Sequence, residues 1–411
     1  LALLSILAGA AAGLVAALFR LSLAHASDLR NAAIRIFLAW GVPGLLLLVA
    51  IVAIATAAAA WLVRRFAPEA TGSGIPEVEL VLTGEKGAAP AAVVPVKFAG
   101  GLLAIGGGLA LGREGPTIQM GATVADLLGT AFRRSREDCA VLLAAGAGAG
   151  LAAAFSAPIA GAVFVLEELV RRFNTRIAIA ALGASASAIA VSRIFLGDAT
   201  VFHLGSQPSL GFGSLPASLG LGIAAGLLGA AYNKTILGVL NAATRIRAVP
   251  VELRAAFIGV AAGALAWLAP SLVGDGEGIT QSLLAGAWSV SAVAVALGVR
   301  FFFGPFCYAA DTPGGLFAPM LVLGAQVGWL WAAVFQQQPT AMAIVGMAAF
   351  FTAVVRAPVT GIVLVTEMTG SGKLLLPILS ACFGAMAVAE LLRSSPIYDS
   401  LRERASEPLS R

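Results

Sequence analysis

Charge is scarce in this sequence: charged side chains make up 11% of its 411 residues, against about 25% in soluble domains. Hydrophobic residues reach 59%, and the mean hydropathy is +0.94. An ordinary water-soluble domain is excluded, because no core of this size hides so much apolar surface; lipid is the expected solvent. Histidine is limited to His25 and His203, so imidazole-based metal chemistry has little to build on. Cys139, Cys307 and Cys382 lie far apart, two of them in apolar segments, which suggests neither a disulfide framework nor a metal site. There is no HExxH motif and no GxSxG context, and Gly370-Ser371-Gly372-Lys373 lacks the spacing of a phosphate loop. No enzyme activity, metal or cofactor is expected. The net charge of +5 is the usual surplus of loop Lys and Arg in a membrane protein. Nucleic-acid binding would instead need clustered basic faces with exposed aromatics.

Long apolar runs are abundant. A bilayer span needs roughly 20 apolar residues, and Trp40–Leu62, Leu215–Ala231, Ala255–Val273 and Leu374–Leu392 qualify. Leu1–Phe19 has no charged leader or cleavage pattern and reads as a first span, not a signal peptide. No attached soluble domain is expected. Loop charge does not settle orientation, since Arg is spread over many loops.

The chain repeats itself. Lys97–Ala122 aligns without gaps on Arg300–Ala325, placing Gly112 on Gly315, Pro116 on Pro319 and Gly121 on Gly324. Ala144–Glu168 aligns on Ile344–Met368, placing Pro158 on Pro358, Gly161 on Gly361 and Glu167 on Glu367. Two related halves, 1–205 and 206–411, are expected. Duplicated halves with Gly/Pro-interrupted hydrophobic segments are a mark of transporters. The alignment does not say whether the halves are parallel or inverted.

Three segments share a glycine-rich turn, a proline and an apolar run: Gly72-Ser73-Gly74-Ile75-Pro76, Gly112-Arg113-Glu114-Gly115-Pro116 and Gly314-Gly315-Leu316-Phe317-Ala318-Pro319. Proline suits a first helical turn, where its missing N–H costs nothing, and glycine allows a sharp bend and close approach. Each segment therefore predicts a helix that starts abruptly inside the membrane. Such a start leaves unpaired N–H groups and a partial positive charge, and in lipid those donors need partners. A small anion would serve. Without a full positive charge to hold it, the ion could also leave.

GSGIPEVE (72–79), GREGPTIQMGA (112–122) and GGLFAP (314–319) closely resemble the three anion-site signatures of the CLC chloride channel and transporter family. LAAAFSAPIAGAVFVLEEL (151–169), RAPVTGIVLVTEMT (356–369) and SPIYDSLRER (395–404) are similar to the same family, and the likeness is strongest to its prokaryotic proton/chloride antiporter branch. The resemblance implies an all-α polytopic membrane protein with two inverted-topology halves of tilted and broken helices. It further implies a homodimer in which each subunit has its own pathway, in the inner membrane of a bacterium. Chloride, protons, lipid and a second copy of the chain would be its partners.

By resemblance, Ser73 and Tyr398 would give hydroxyls to a central chloride, and the N–H groups of Leu316 and Phe317 would line the same ion. Gly74, Ile75, Arg113 and Gly115 complete the expected chloride-binding set. Glu114 would be the external gate and proton acceptor, its carboxylate imitating the anion. Glu168 would be the internal proton-transfer residue and the main reason to expect an exchanger; a passive, voltage- or proton-gated chloride channel is the alternative. The residues alone leave other readings open. Tyr398 could be an interfacial aromatic, Glu114 a partner of Arg113, and Glu168 a helix end near Arg171 and Arg172. Glu167, with its counterpart Glu367, reads as structural. Glu77, Glu79 and Lys97 read as charges near the vestibule, more structural than catalytic. Retention of the serine in GSGIP favours chloride over fluoride.

Overall fold

The computed structural model describes residues 1–198, 200–204, 208–246 and 248–406. The expected boundary between residues 205 and 206 lies outside them. Seventeen α-helices occur among the described residues. They are α1 (Ala2–Leu38), α2 (Val42–Phe66), α3 (Ile75–Leu82), α4 (Val93–Gly107), α5 (Glu114–Ala131) and α6 (Arg136–Phe155). Next come α7 (Pro158–Phe164), α8 (Thr175–Leu196), α9 (Leu215–Arg245), α10 (Val251–Leu268), α11 (Glu277–Leu284) and α12 (Val290–Tyr308). The last five are α13 (Phe317–Phe335), α14 (Pro339–Val355), α15 (Pro358–Thr369), α16 (Leu375–Leu391) and α17 (Ile397–Ser406). Nine helices of the described residues are long and apolar enough to cross a membrane.

The order of elements repeats. Helices α1 to α8 are followed by α9 to α16 with short helices and breaks in corresponding places. A 3-10 turn after α2 (Pro68–Ala70) recurs after α10 (Pro270–Leu272), and an eight-residue helix follows each. Packing recurs as well. A methyl group on Gly121 of α5 would lie 2.4 Å from the Gly146 carbonyl of α6, and one on Gly324 of α13 would lie 2.4 Å from the Gly346 carbonyl of α14. Backbones can approach this closely only without side chains, the device by which membrane helices gain contact where lipid is as apolar as leucine.

Equivalent helices run in opposite directions. Glu167, just beyond α7, accepts hydrogen bonds from the N–H groups of Val359 (3.0 Å) and Thr360 (2.6 Å) at the start of α15. Glu367, near the end of α15, accepts from Ile159 (3.1 Å) and Ala160 (2.8 Å) at the start of α7. Each carboxylate therefore caps the helix of the other half, which is possible only if α7 and α15 are antiparallel. The halves are inverted. These two caps give Glu167 and Glu367 the structural part their pairing in the sequence suggested.

Two expected spans are adjusted. The first helix runs on past Phe19 to Leu38, because its polar residues face protein: Arg20 donates to the Ser156 hydroxyl and Arg30 to the Gly106 carbonyl. At 1.5 Å per residue its 37 residues span about 55 Å, so it leans or extends beyond a hydrocarbon layer about 30 Å thick. The span expected over Ala255–Val273 is instead α10, which stops at Leu268. Pro270 ends it, since a proline disfavours helical geometry in the residue before it.

Candidate anion and proton site

The three glycine-rich turns, distant in sequence, are joined by backbone hydrogen bonds. Gly72 N–H donates to the Thr312 carbonyl (3.1 Å) and Gly314 N–H to the Gly72 carbonyl (3.0 Å). Gly112 and Gly315 exchange bonds of 2.8 and 2.7 Å. This stitching brings the starts of α3, α5 and α13 to one place.

Four helices carry a local side-chain cap at their start, and these three are among the larger number that do not. Helices α6, α8, α12 and α14 begin at Ser135, Asn174, Ser289 and Gln338, whose own side chains accept from first-turn N–H groups. The residues preceding α3, α5 and α13 are Gly74, Arg113 and Leu316, and none supplies such a cap. At α3, Ile75 N–H donates to the Ser73 hydroxyl over 3.3 Å. At α13, Ala318 N–H donates to Oε2 of Glu114 over 3.4 Å. The N–H groups of Leu316 and Phe317 have no acceptor among the described residues. Thus the side chain that reaches the start of α13 is a carboxylate from the other half, buried at 1% exposure. Room for it depends on Gly112, where a methyl group would lie 2.0 Å from Oε2.

Tyr398, on α17, is fully buried and its ring centre lies 5.9 Å from that of Phe317. Its hydroxyl has no hydrogen-bond partner. A buried unpaired hydroxyl costs roughly 1–3 kcal/mol, so a ligand at this point would relieve a real deficit. Burial excludes the reading of Tyr398 as an interfacial anchor.

Glu168 lies in a second acidic cluster. A π-helical turn, Val165–Leu169, continues α7 and carries it; such turns recur at functional sites. Its carboxylate is 3.6 Å from Arg171, which is also 3.9 Å from Glu79 and pairs closely with Asp399. Arg171, with Arg402 adding its charge at Glu79, still leaves the three carboxylates in excess, so the cluster has room for a proton. A cavity of about 560 Å³ reaches Glu168, Arg171 and Pro396, wide enough for water to meet it.

Comparison with known proteins agrees with this geometry. The family model described as "Voltage gated chloride channel" matches residues 55–390. The chain belongs to that family. A relative from Cronobacter sakazakii, named an H(+)/Cl(−) exchange transporter, is 40% identical over 84% of this chain and 76% of its own length. One of the same name from Vibrio cholerae is 37% identical over 98% of this chain and 88% of its own. The structure of a slow cyanobacterial Cl−/H+ antiporter superposes with a TM-score of 0.93 at 32% identity, covering 100% of this chain and 98% of that one.

Within this member of the chloride channel family, the inverted halves treat equivalent turns differently. Gly72-Ser73-Gly74 before α3 and Gly274-Asp275-Gly276 before α11 occupy matching places, with left-handed backbone at all four glycines. Asp275 accepts from Glu277 N–H (3.1 Å) just as Ser73 accepts from Ile75. The second turn brings Asp275 and Glu277 to the very start of its helix, whereas the first brings a neutral hydroxyl, and the acidic residue in the first turn of α3, Glu77, is engaged by Lys86. Position 73 was readable from the sequence. Its counterpart was missed because only the two glycines are shared.

The added carboxylates hold Arg113. Its guanidinium donates to Glu277 (2.7 Å), lies 3.7 Å from Asp275 and reaches the Ala154 carbonyl, while Arg20 is 4.0 Å from Glu277. With its side chain so engaged, Arg113 has backbone rather than guanidinium to offer an ion. Removing one partner of a buried ion pair costs about 3–5 kcal/mol; Glu277 is 31% exposed, so solvent reduces this. Glu277→Gln should lower stability by about 2 kcal/mol, seen as a lower melting temperature in detergent. An unchanged melting temperature would show that Arg113 is held without the Glu277 carboxylate.

Lys97 is not a vestibule charge. Fully buried, it donates to the carbonyls of Ala70 (3.0 Å) and Gly72 (2.9 Å), behind the Ser73 turn. Arg300, its repeat partner, donates to Leu272, Gly274 and Asp275 behind the other turn. Each cation satisfies carbonyls that a broken helix leaves unpaired. Glu77 pairs with Lys86 at 2.8 Å. Glu79, read from the sequence with Glu77, belongs instead to the Glu168 cluster and is 1% exposed. The signal for it was the general one, a carboxylate in a membrane segment.

Proposed function

We propose that this chain is a proton-coupled chloride antiporter, moving chloride and protons in opposite directions across a bacterial inner membrane. The observation that carries the reading is the carboxylate of Glu114 resting at the start of α13, 3.4 Å from Ala318 N–H. A negative group there stands where a chloride would be held by helix N-termini. Protonation would remove its charge and release it, so one side chain answers to both ions. Ser73, Gly74, Ile75, Leu316, Phe317 and Tyr398 would hold chloride in the central position, with Arg113 and Gly115 contributing backbone at the Glu114 turn. Glu168 would pass protons between the open cavity beside it and the pathway. The exchange-transporter names of the bacterial relatives support the assignment, as do the nine apolar helices.

The halves, 1–205 and 206–411, would form one pathway between them, and two copies of the chain would associate with independent pathways, as the family likeness suggests. Purified protein in lipid vesicles should drive protons uphill when only a chloride gradient is imposed. Chloride movement without proton movement would establish the channel reading instead.

A further inference from the structure

The last residue of α12, Tyr308, touches the candidate chloride site and has no part in the assignments above. Its phenolic oxygen accepts a hydrogen bond from Ser73 N–H over 3.4 Å. The ring is buried, and Gly72 makes space for the oxygen, which would be 2.8 Å from a methyl group there. On the other side, Ile75 N–H already donates to the Ser73 hydroxyl oxygen.

We propose that Tyr308 is a positioning residue of the anion site that acts through Ser73. Its oxygen takes up the Ser73 N–H and fixes the turn. In the turn so fixed, the Ser73 hydroxyl oxygen accepts from Ile75 N–H, and its proton is left to be given to a ligand. It points to an acceptor, and an anion is the acceptor that the open start of α3 attracts.

This inference rests on the chloride reading, and the experiment separates the two. Chloride binding would be measured by titrating purified full-length protein with potassium chloride in a calorimeter. Tyr308→Phe keeps the ring and should weaken binding by about 3- to 10-fold, the loss expected from one neutral hydrogen bond. In a Ser73→Ala background the same change should cost nothing further, because groups that act through one another are not additive. Tyr308→3,5-difluorotyrosine, a weaker acceptor for the Ser73 N–H, should also weaken binding, and it retains the tyrosine shape should the phenylalanine variant fail to fold. Unchanged affinity in Tyr308→Phe, an equal loss with and without Ser73, or a fluorinated protein that binds more tightly than the parent would each overturn the proposal while leaving the chloride site intact. If the parent itself binds no chloride, the reading of the site falls with it.

Discussion

Glu114→Gln should leave chloride flux in vesicles and reduce proton transport to background. Glutamine has the size of the protonated acid but cannot acquire its charge. The carboxylate now accepts from Ala318 N–H at the start of α13, and charge makes that bond about twice as strong as a neutral one. A neutral amide competes less well with chloride for the same helix end, so the ion should pass with less hindrance. Protons lose their carrier altogether. The variant should also lose the pH dependence of chloride flux expected of the parent, since the group whose charge opposes chloride is gone. The measurement is paired recording of chloride efflux and proton uptake at several pH values. Proton transport at the parental rate would remove Glu114 from the mechanism and return it to a partner of Arg113.

Glu168→Gln should also abolish proton transport, for a different reason, and the pH profile separates the two variants. The residue stands away from the α13 start, on the π-helical turn beside the large cavity, sharing Arg171 with Glu79 and Asp399. Removing its carboxyl takes away the group able to receive a proton from cavity water and pass it inward. Chloride does not need that group, so its flux should continue. Glu114 remains free to titrate, so chloride flux should keep its pH dependence. If Glu168→Gln still exchanges protons as the parent does, Glu79, buried in the same cluster with both carboxylate oxygens unbonded, becomes the residue to replace next. Loss of chloride flux would instead mean that the cluster holds the pathway open.

The parts of the site that were legible in the sequence are those whose signals are local. A glycine turn followed by proline declares a helix start wherever it lies, and α3, α5 and α13 begin within a residue or two of the expected places. The carboxylate of Glu114 stood out because charge inside an apolar segment is expensive. Tyr308 carried no such signal. Tyrosine is unremarkable near a membrane, and its contact with Ser73 joins residues from different halves of the chain. Lys97 looked like a vestibule charge because nothing in a sequence tells a solvated amine from one satisfied by three carbonyls. The long first helix was cut short at Arg20 for the same reason: its polar partners, Ser156 and Glu277, arrive from elsewhere.

By itself the sequence determined the solvent, the helical class, the repeat and the three broken-helix starts, all consequences of composition and of neighbours along the chain. The tertiary structure decided which of those starts remain open to an anion. It capped α7 and α15 with glutamates exchanged between inverted halves, charged the start of α11 with Asp275 and Glu277, and left Ser73, Leu316 and Phe317 facing one buried place with Glu114. The physical reason is that an unpaired N–H is a property of surroundings, not of the residue that bears it.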